Sequence, residues 1–95
     1  MPKSKHDKIA ERRARQLGAE YNPVKGPDIV TGGEVDEVEI DKGKLKEGIG
    51  QMRGYRQRKY LVVPKELVED AKKATKGTKI GVRDEQGRIK RSAKK

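Results

Sequence analysis

The sequence contains no cysteine, phenylalanine or tryptophan, and three tyrosines are its only aromatic residues among 95. Without cysteine the chain forms neither a disulfide nor a thiolate metal site, which is typical of proteins from a reducing compartment. The longest apolar run, YLVVP at 60–64, is too short to span a bilayer. The first eight residues also lack the apolar core of a signal peptide. We therefore expect a soluble, cytoplasmic protein that makes no membrane contact.

Hydrophobic residues make up only 31% of the chain, whereas charged residues make up 42%. A chain this short buries a modest fraction of its surface, so its core must be small and aliphatic. Apolar clusters nevertheless recur at regular spacing, which favours folding over disorder. We predict one domain over residues 5–90, a disordered N-terminus over residues 1–4 and a disordered basic tail over residues 91–95.

Negative charge is concentrated in one stretch of a chain whose formal net charge is +10. Residues 28–41, here called the acidic segment, contain six carboxylates and no lysine or arginine. By contrast, residues 42–60 carry seven basic and one acidic side chain, and residues 76–95 carry eight basic and two acidic ones. Such an excess of lysine and arginine predicts a polyanionic partner, usually nucleic acid, although a solubilising surface is the alternative.

The order of predicted elements indicates an α/β (α+β) fold. Ser4 and Gly18 suit the two ends of a helix that runs to Leu17. Strands are predicted over 19–26, 27–30, 34–41, 59–63 and 78–82, with a final hairpin strand at 88–90, and further helices over 44–55 and after Pro64. This order predicts a small mixed β-sheet flanked by helices, an αβββαβ core followed by a helix and a C-terminal strand or hairpin.

The acidic segment contains the side chains most suited to chemistry. Within 34–41, alternation places Val38 and Ile40 on one face and Glu37, Glu39 and Asp41 on the other. Hairpin pairing would bring these acids close to the acid at position 28. Carboxylates held together require a proton, a counterion or a metal ion, and Mg²⁺ prefers oxygen ligands. Such an ion activates water for phosphodiester cleavage.

The stretch GPDIV…VEID resembles the PD-(D/E)xK (restriction-endonuclease-like) nuclease superfamily. Pro27-Asp28 matches the first half of its motif, and Glu39 falls in the position of the second acid. The superfamily's αβββαβ core is similar to the predicted element order. The motif lysine, however, is replaced, because Asp41 stands two residues after Glu39.

Two further features resemble particular branches of this superfamily. Gln51 and Tyr55 are similar to the Q-x-x-x-Y motif of RecB-like members. Glu11 lies where Holliday-junction-resolvase-like members place an acid on the first helix. The resemblance covers roughly residues 5 to 63.

The resemblance implies an Mg²⁺ or Mn²⁺ ion and a set of residues around it. The implied metal ligands are Asp28, Glu39, Asp41 and Glu11, and the implied catalytic residues are Asp28, Glu39, Asp41, Lys42, Lys44, Gln51 and Tyr55. Three interpretations of the lysine position stay open: the lysine has moved to Lys42 or Lys44, Asp41 is a third metal ligand, or the domain binds nucleic acid without cleaving it. The structural alternative is that the acids form the solvated face of an edge strand.

Basic residues suited to nucleic-acid contacts are Arg53, Arg56, Arg58 and Lys59, with Arg12 and Arg13 on the first helix. His6 has no histidine or cysteine nearby in the sequence and is predicted to be neither catalytic nor a ligand. The sequence thus predicts a small nucleic-acid-binding protein, a Mg²⁺-dependent DNA endonuclease or resolvase-like phosphodiester hydrolase. The alternative is a catalytically inactive nuclease-fold protein that binds DNA or RNA. DNA is favoured over RNA, and a homodimer or larger complex is expected.

Overall fold

Five strands form one mixed sheet with helices on both faces in the computed structural model, which describes residues 4–21 and 27–94. The elements are α1 (Lys5–Leu17), β1 (Ile29–Val30), β2 (Glu34–Val38), α2 (Leu45–Gln51), β3 (Arg58–Val63), α3 (Val68–Ala74), β4 (Gly81–Asp84) and β5 (Ile89–Arg91). Short 3-10 turns at Lys42–Lys44 and Lys65–Leu67 precede α2 and α3. The predicted fold class, a mixed sheet flanked by helices, is confirmed.

The sheet follows the chain order, β1-β2-β3-β4-β5. The three central strands β2, β3 and β4 are parallel, and the short strands β1 and β5 are antiparallel at the two edges. Crossovers between parallel strands are right-handed, so two successive crossovers in the same direction place both helices on one face. Accordingly, α2 and α3 share a hydrophobic core on this face, formed by Val35, Leu45, Met52, Leu61, Val63, Val68, Ala71, Ile80 and Val82.

Helix α1 covers the opposite face of the sheet. Its ends match the prediction, because the Ser4 hydroxyl accepts a hydrogen bond from the backbone N–H of Asp7 at 3.1 Å and Gly18 adopts a left-handed φ of 66°. The helix buries Ile9 and Ala10 against Val38 and Val62. Burying this apolar stripe fixes α1 on the sheet, and its first turn lies near the end of β2.

Strand β2 divides its side chains between these two faces. Asp36 and Val38 face α1, since Asp36 bonds to Arg13 and Val38 packs on α1. Val35 and Glu37 face α2, where Val35 joins the larger core. The strand ends at Val38 rather than continuing to residue 41 as predicted. None of the helices that the structure describes is long and apolar enough to cross a membrane.

Other boundaries also differ from the predictions; for example, β1 begins at Ile29 rather than residue 27, and β4 covers Gly81–Asp84 rather than 78–82. Residues 19–21 of the strand predicted over 19–26 form no strand, and residues 22–26 lie outside the described residues. Helix α2 ends at Gln51 instead of residue 55, and Gly54 follows with a φ of 92°. The predicted disordered tail is ordered over residues 91–94: Ala93 is buried and its N–H donates to the Tyr60 hydroxyl at 3.1 Å. Ser4 likewise caps α1, whereas residues 1–3 and 95 lie outside the described part of the chain.

Candidate functional site

Three carboxylate side chains converge where β2 ends: Asp28, Glu37 and Glu39, here called the carboxylate cluster. Asp28 immediately precedes β1, and the register of Ile29 with Asp36 places Asp28 beside Glu37. The backbone N–H of Asp28 donates to Glu37 Oε1 at 3.1 Å. In return, the backbone N–H of Val38 donates to Asp28 Oδ2 at 2.9 Å. These backbone bonds fix the side chains of both acids at the edge of the sheet.

A glycine in α2 allows the helix to lie directly on the cluster. A Cβ atom at Gly48 would lie 2.7 Å from Glu39 Cγ, which is closer than real Cβ atoms come, and 3.2 Å from Glu37 Cγ. This close approach explains a glycine in a helix, where it lowers helix propensity. The expectation that both α2 glycines pack on the sheet holds for Gly48 only, since a Cβ at Gly50 would meet nothing within 4 Å.

His6 brings a positive charge to the cluster from the first turn of α1. Its Nε2 lies 3.1 Å from Asp28 Oδ2, and its Nδ1 lies 3.4 Å from the Tyr21 hydroxyl. That hydroxyl donates to Asp7 Oδ1 at 2.8 Å, which orients the tyrosine. The prediction excluded His6 from any site. The signal that could have included it is the helical spacing of His6 with the buried residues Ile9, Ala10 and Arg13.

Mutual repulsion and burial control protonation in the cluster. Burial, together with the negative charge of Asp28, raises the pKa of Glu37 to about 9. Burial also raises the pKa of Glu39, with contributions from the charges of Asp28 and Glu47. The hydrogen bond to Asp28 raises the pKa of His6 to about 9, against the opposing effect of burial. Near neutral pH these shifts favour a protonated Glu37 and a positively charged His6.

Several of the predicted catalytic residues lie elsewhere. Asp41 is exposed and caps the 3-10 turn, since its Oδ1 accepts from the backbone N–H of Gly43 at 2.9 Å. Lys42 Nζ lies 3.5 Å from Asp70 Oδ1, and Lys44 is exposed. In residues 4–21 and 27–94, neither lysine forms an ion pair with the carboxylate cluster. The structure therefore brings together Asp28 and Glu39 from the predicted set and adds Glu37 and His6.

The residues that resemble the nuclease branches lie on α1, at the end of α2 and shortly after it. Gln51 is exposed at the end of α2, whereas Tyr55 is half-buried and packs against the core between the sheet and the α2 and α3 helices. Glu11 lies in the wall of an open groove beside α1, together with Asp7 and Tyr21. Their roles as site residues thus stay predictions.

Two other acids of the acidic segment, Glu34 and Asp36, form a structural network on the α1 face. Arg13 donates from Nε to Asp36 Oδ2 at 2.6 Å and from Nη2 to Glu34 Oε2 at 2.7 Å. Arg83 donates to both oxygens of Glu34 and stacks over the Tyr60 ring, 4.2 Å from its centroid. The network joins α1 and β4 to β2. Two of the six carboxylates of the acidic segment are thus bound to arginine side chains.

The pKa values of the two acids in this network shift in opposite directions. Burial and the hydrogen bond to Glu34 raise the pKa of Asp36 to about 8. The pKa of Glu34 falls to about 2 because hydrogen bonds from Asp36, Arg13 and Arg83 outweigh its burial. Asp36 Oδ1 is buried and has no hydrogen-bond partner in the described residues. A proton on this oxygen would allow it to donate a hydrogen bond to Glu34.

The basic residues predicted to contact nucleic acid have unequal access to solvent. Arg53, Arg56 and Arg58 are exposed and Lys59 is half-buried. Arg12 is exposed, with Nη1 3.5 Å from Gln86 Oε1. The prediction for Arg13 needs correction, because its side chain is buried and bound to two carboxylates. Its guanidinium therefore offers no free charge to a phosphate.

The chemistry of the cluster suits a hard cation. Three carboxylates supply the oxygen ligands that Mg²⁺ and Mn²⁺ prefer. Within the described ranges, however, no group of three or more histidine or acidic side chains is already arranged to hold a metal ion. One oxygen of Asp28 is already in contact with His6 Nε2. Comparison with known proteins gives no relative: the chain matches no family model, no curated protein and no solved structure.

Proposed function

We propose that this protein binds nucleic acid and hydrolyses its phosphodiester bonds with a divalent cation held at the carboxylate cluster. The observation that supports the proposal is the bond between the Asp28 N–H and Glu37 Oε1, which places two acids of neighbouring strands side by side. Glu39 is the third acid, and its pKa is raised by burial and by the charge of Asp28. The net charge of +10 on the whole chain favours a polyanionic substrate.

This geometry shifts the proposed motif by two residues. In the nuclease pattern, the second acid lies two positions before the lysine. Because Glu37 is the acid that bonds to Asp28, we assign Glu37 to the second-acid position and Glu39 to the lysine position. Asp41 then leaves the proposed ligand set, consistent with its side chain capping a turn.

The proposed metal ligands are Asp28, Glu37 and Glu39, binding Mg²⁺ or Mn²⁺. When bound, the ion would stabilise charge on a phosphoryl oxygen and lower the pKa of a bound water. Binding requires loss of the Glu37 proton and release of Asp28 Oδ2 by His6. Gly48 keeps α2 in contact with Glu37 and Glu39, which limits how far these side chains move.

A second candidate function, nucleic-acid binding without cleavage, is favoured by a specific observation. In the described residues, no lysine contacts the carboxylate cluster, and protonated His6 already neutralises part of its charge. In that case the cluster is a buried ion-pair site that fastens α1 to the start of β1. The basic surface alone would then carry the function.

We also infer a cytoplasmic location and association into a homodimer or a larger complex. The absence of cysteine fits a reducing compartment. The molecule measures 39 × 29 × 23 Å, so one copy spans little more than one turn of a duplex. Two copies would suit a substrate with two strands to cut.

The test is metal-dependent cleavage of linear and branched DNA by wild-type protein, Asp28→Asn, Glu37→Gln and the matched control Asp41→Asn. We expect cleavage by wild type and Asp41→Asn with Mg²⁺ or Mn²⁺, and none by the other two variants. Cleavage that survives both Asp28→Asn and Glu37→Gln would contradict the proposed site. Binding without cleavage by wild type, under all metal conditions, would select the second candidate.

A further inference from the structure

The edge of the sheet where β3 and β4 begin carries a groove in which all the charged side chains are positive. Two adjoining depressions share Thr78, Lys79 and Ile80 in their walls. Five basic residues line them together: Arg53, Lys59, Lys79, Arg91 and Lys94. No aspartate or glutamate of the described chain lines either depression. We call this surface the cationic groove.

Close backbone packing builds one wall of the cationic groove. A Cβ atom at Gly81 would lie 2.5 Å from the backbone nitrogen of Ala93 and 2.5 Å from the carbonyl oxygen of Arg91, so only glycine allows the C-terminal segment to approach β4. The backbone N–H of Lys94 then donates to the Lys79 carbonyl at 2.8 Å. These contacts place Arg91 and Lys94 beside Lys79, on a wall tied to the sheet.

Most of this positive charge is not neutralised within the molecule. Arg53, Lys79 and Lys94 are exposed. No ion pair in residues 4–21 and 27–94 joins them or Lys59 to a carboxylate, in contrast to the ion pair that Lys42 forms with Asp70. Arg91 is bound inward, to the carbonyl of Lys72 and the Thr75 hydroxyl.

Helix ends reduce the positive potential of the groove only in part. Helices α2 and α3 both end on this side of the sheet, as their antiparallel course to the strands requires. Each helix C-terminus contributes about half a negative charge at most. Two such ends offset about one of the five positive charges, so the groove keeps a strong attraction for anions.

The cationic groove lies away from the carboxylate cluster. Arg58 pairs with Glu34, and Gly81 pairs with Tyr60, so Lys79 lies level with the start of β2. Glu39 follows Glu34, the first residue of β2, by five residues, which corresponds to about 16 Å along the strand direction. A ligand in the groove therefore does not lie over the cluster.

We propose that the cationic groove binds the phosphate backbone of duplex DNA. Charge complementarity identifies a polyanion, and the absence of an aromatic side chain from the walls that the structure describes leaves no platform for base stacking. The contacts would therefore be to phosphates and independent of sequence. The inference rests on the proposed nucleic-acid partner but not on cleavage, and it assigns DNA anchoring to a surface that is distant from the metal site.

The test measures binding of a fluorescent DNA duplex by anisotropy, in EDTA so that cleavage is absent. The variant Lys79→Glu/Lys94→Glu is compared with Lys8→Glu/Lys65→Glu, which changes the net charge equally at exposed positions outside the groove. We expect the groove variant to bind about tenfold more weakly at about 100 mM NaCl. In a plot of log affinity against log salt concentration, its slope should be less negative than that of the wild type by about 2. The control should change affinity less than about threefold.

Equal losses in both variants would overturn the proposal, because binding would then reflect net charge alone. Unchanged affinity in the groove variant would overturn it too, as would equally tight binding of poly-glutamate, which carries charge but no phosphate. If the Glu variants fail to fold by circular dichroism, Lys79→Gln/Lys94→Gln and Lys8→Gln/Lys65→Gln replace them with the same criteria. Since the assay contains no metal, its outcome is independent of whether the carboxylate cluster is catalytic.

Discussion

His6 Nε2 lies 3.1 Å from Asp28 Oδ2, and this contact joins the first turn of α1 to the residue that precedes β1. The same Asp28 oxygen accepts a bond from the Val38 N–H in β2. One carboxylate therefore links a helix and two strands. The positive charge of His6 offsets part of the repulsion among the clustered acids.

The contact predicts a pH-dependent contribution of His6 to stability. Its pKa is about 9 in the folded protein, above the ordinary value of 6.5, so the folded state binds the proton more tightly. The contribution is fully present below about pH 6.5 and is lost as the pH rises through about 9. We expect His6→Gln to lower the free energy of unfolding by about 1 to 2 kcal/mol at pH 6.

Chemical denaturation of wild type and His6→Gln between pH 6 and 10 measures this difference. The two stability curves should converge above about pH 9. A difference that is constant over the whole pH range would mean that His6 acts through packing rather than charge. Because Glu37 is present in both proteins, its own titration largely cancels in the comparison.

The two glycines of α2 should respond oppositely to alanine. At Gly48 a new methyl group would meet Glu39 Cγ at 2.7 Å, so Gly48→Ala should destabilise the fold by about 1 to 3 kcal/mol. At Gly50 nothing lies within 4 Å, so Gly50→Ala should stabilise it by about 0.5 to 1 kcal/mol through higher helix propensity. Thermal unfolding of both variants checks the pair, and equal effects would contradict the close contact between α2 and the cluster.

Alanine substitutions at Arg13 and at Arg12, two neighbouring residues of α1, should have different effects on stability. Removing the Arg13 guanidinium leaves the fully buried Asp36 without its donor, whereas Glu34 keeps Arg83, so Arg13→Ala should cost about 1 to 3 kcal/mol. Arg12 is exposed, and Arg12→Ala should change stability by less than about 0.5 kcal/mol. Urea unfolding would measure both, and a small loss for Arg13→Ala would show that the network contributes little.

Protonation of Glu34 should lower the free energy of unfolding in acid. Its pKa is about 2 in the folded protein against an ordinary value of 4.5, so its contribution is present above about pH 4.5 and is lost as the pH falls toward 2. This contribution is about 2 to 3 kcal/mol. Asp36 acts in the opposite direction and at higher pH, because its pKa is raised to about 8.

The measurement is the free energy of unfolding of wild type and Glu34→Gln from pH 6 to pH 2. The difference between the two proteins should shrink as the pH falls below about 4.5. If the difference stays constant, the ion pairs with Arg13 and Arg83 do not control the titration of Glu34.

Local signals in the sequence were sufficient for most of the fold. Ser4 and Gly18 mark the ends of α1, and the consecutive apolar residues of β3 indicate its central position between two covered faces. The C-terminal segment was not predictable in the same way. Its order depends on the missing side chain at Gly81, which lets Arg91 and Ala93 approach β4, and local patterning does not indicate this contact.

The candidate site was only partly predictable, because alternation specifies the face of a strand but not its register. Asp28 and Glu39 were identified from their residue types and spacing. That Glu37 lies beside Asp28 follows from the pairing of Ile29 with Asp36, which the turn at residues 31–33 sets. The assignment of Arg13 to a buried network required knowing that α1 packs over Asp36, on the far side of the sheet from α2.

The central claim is that Asp28, Glu37 and Glu39 together bind a divalent cation. Residue-resolved NMR of the wild-type protein and of Glu37→Gln, titrated with Mg²⁺ and then Mn²⁺, tests it without a choice of nucleic-acid substrate. We predict that the signals of Asp28, Glu37, Glu39 and His6 shift or broaden together in the wild type while Asp41 does not, and that Glu37→Gln abolishes the response. Unperturbed cluster signals at millimolar metal, or an equal response in Glu37→Gln, would contradict the account.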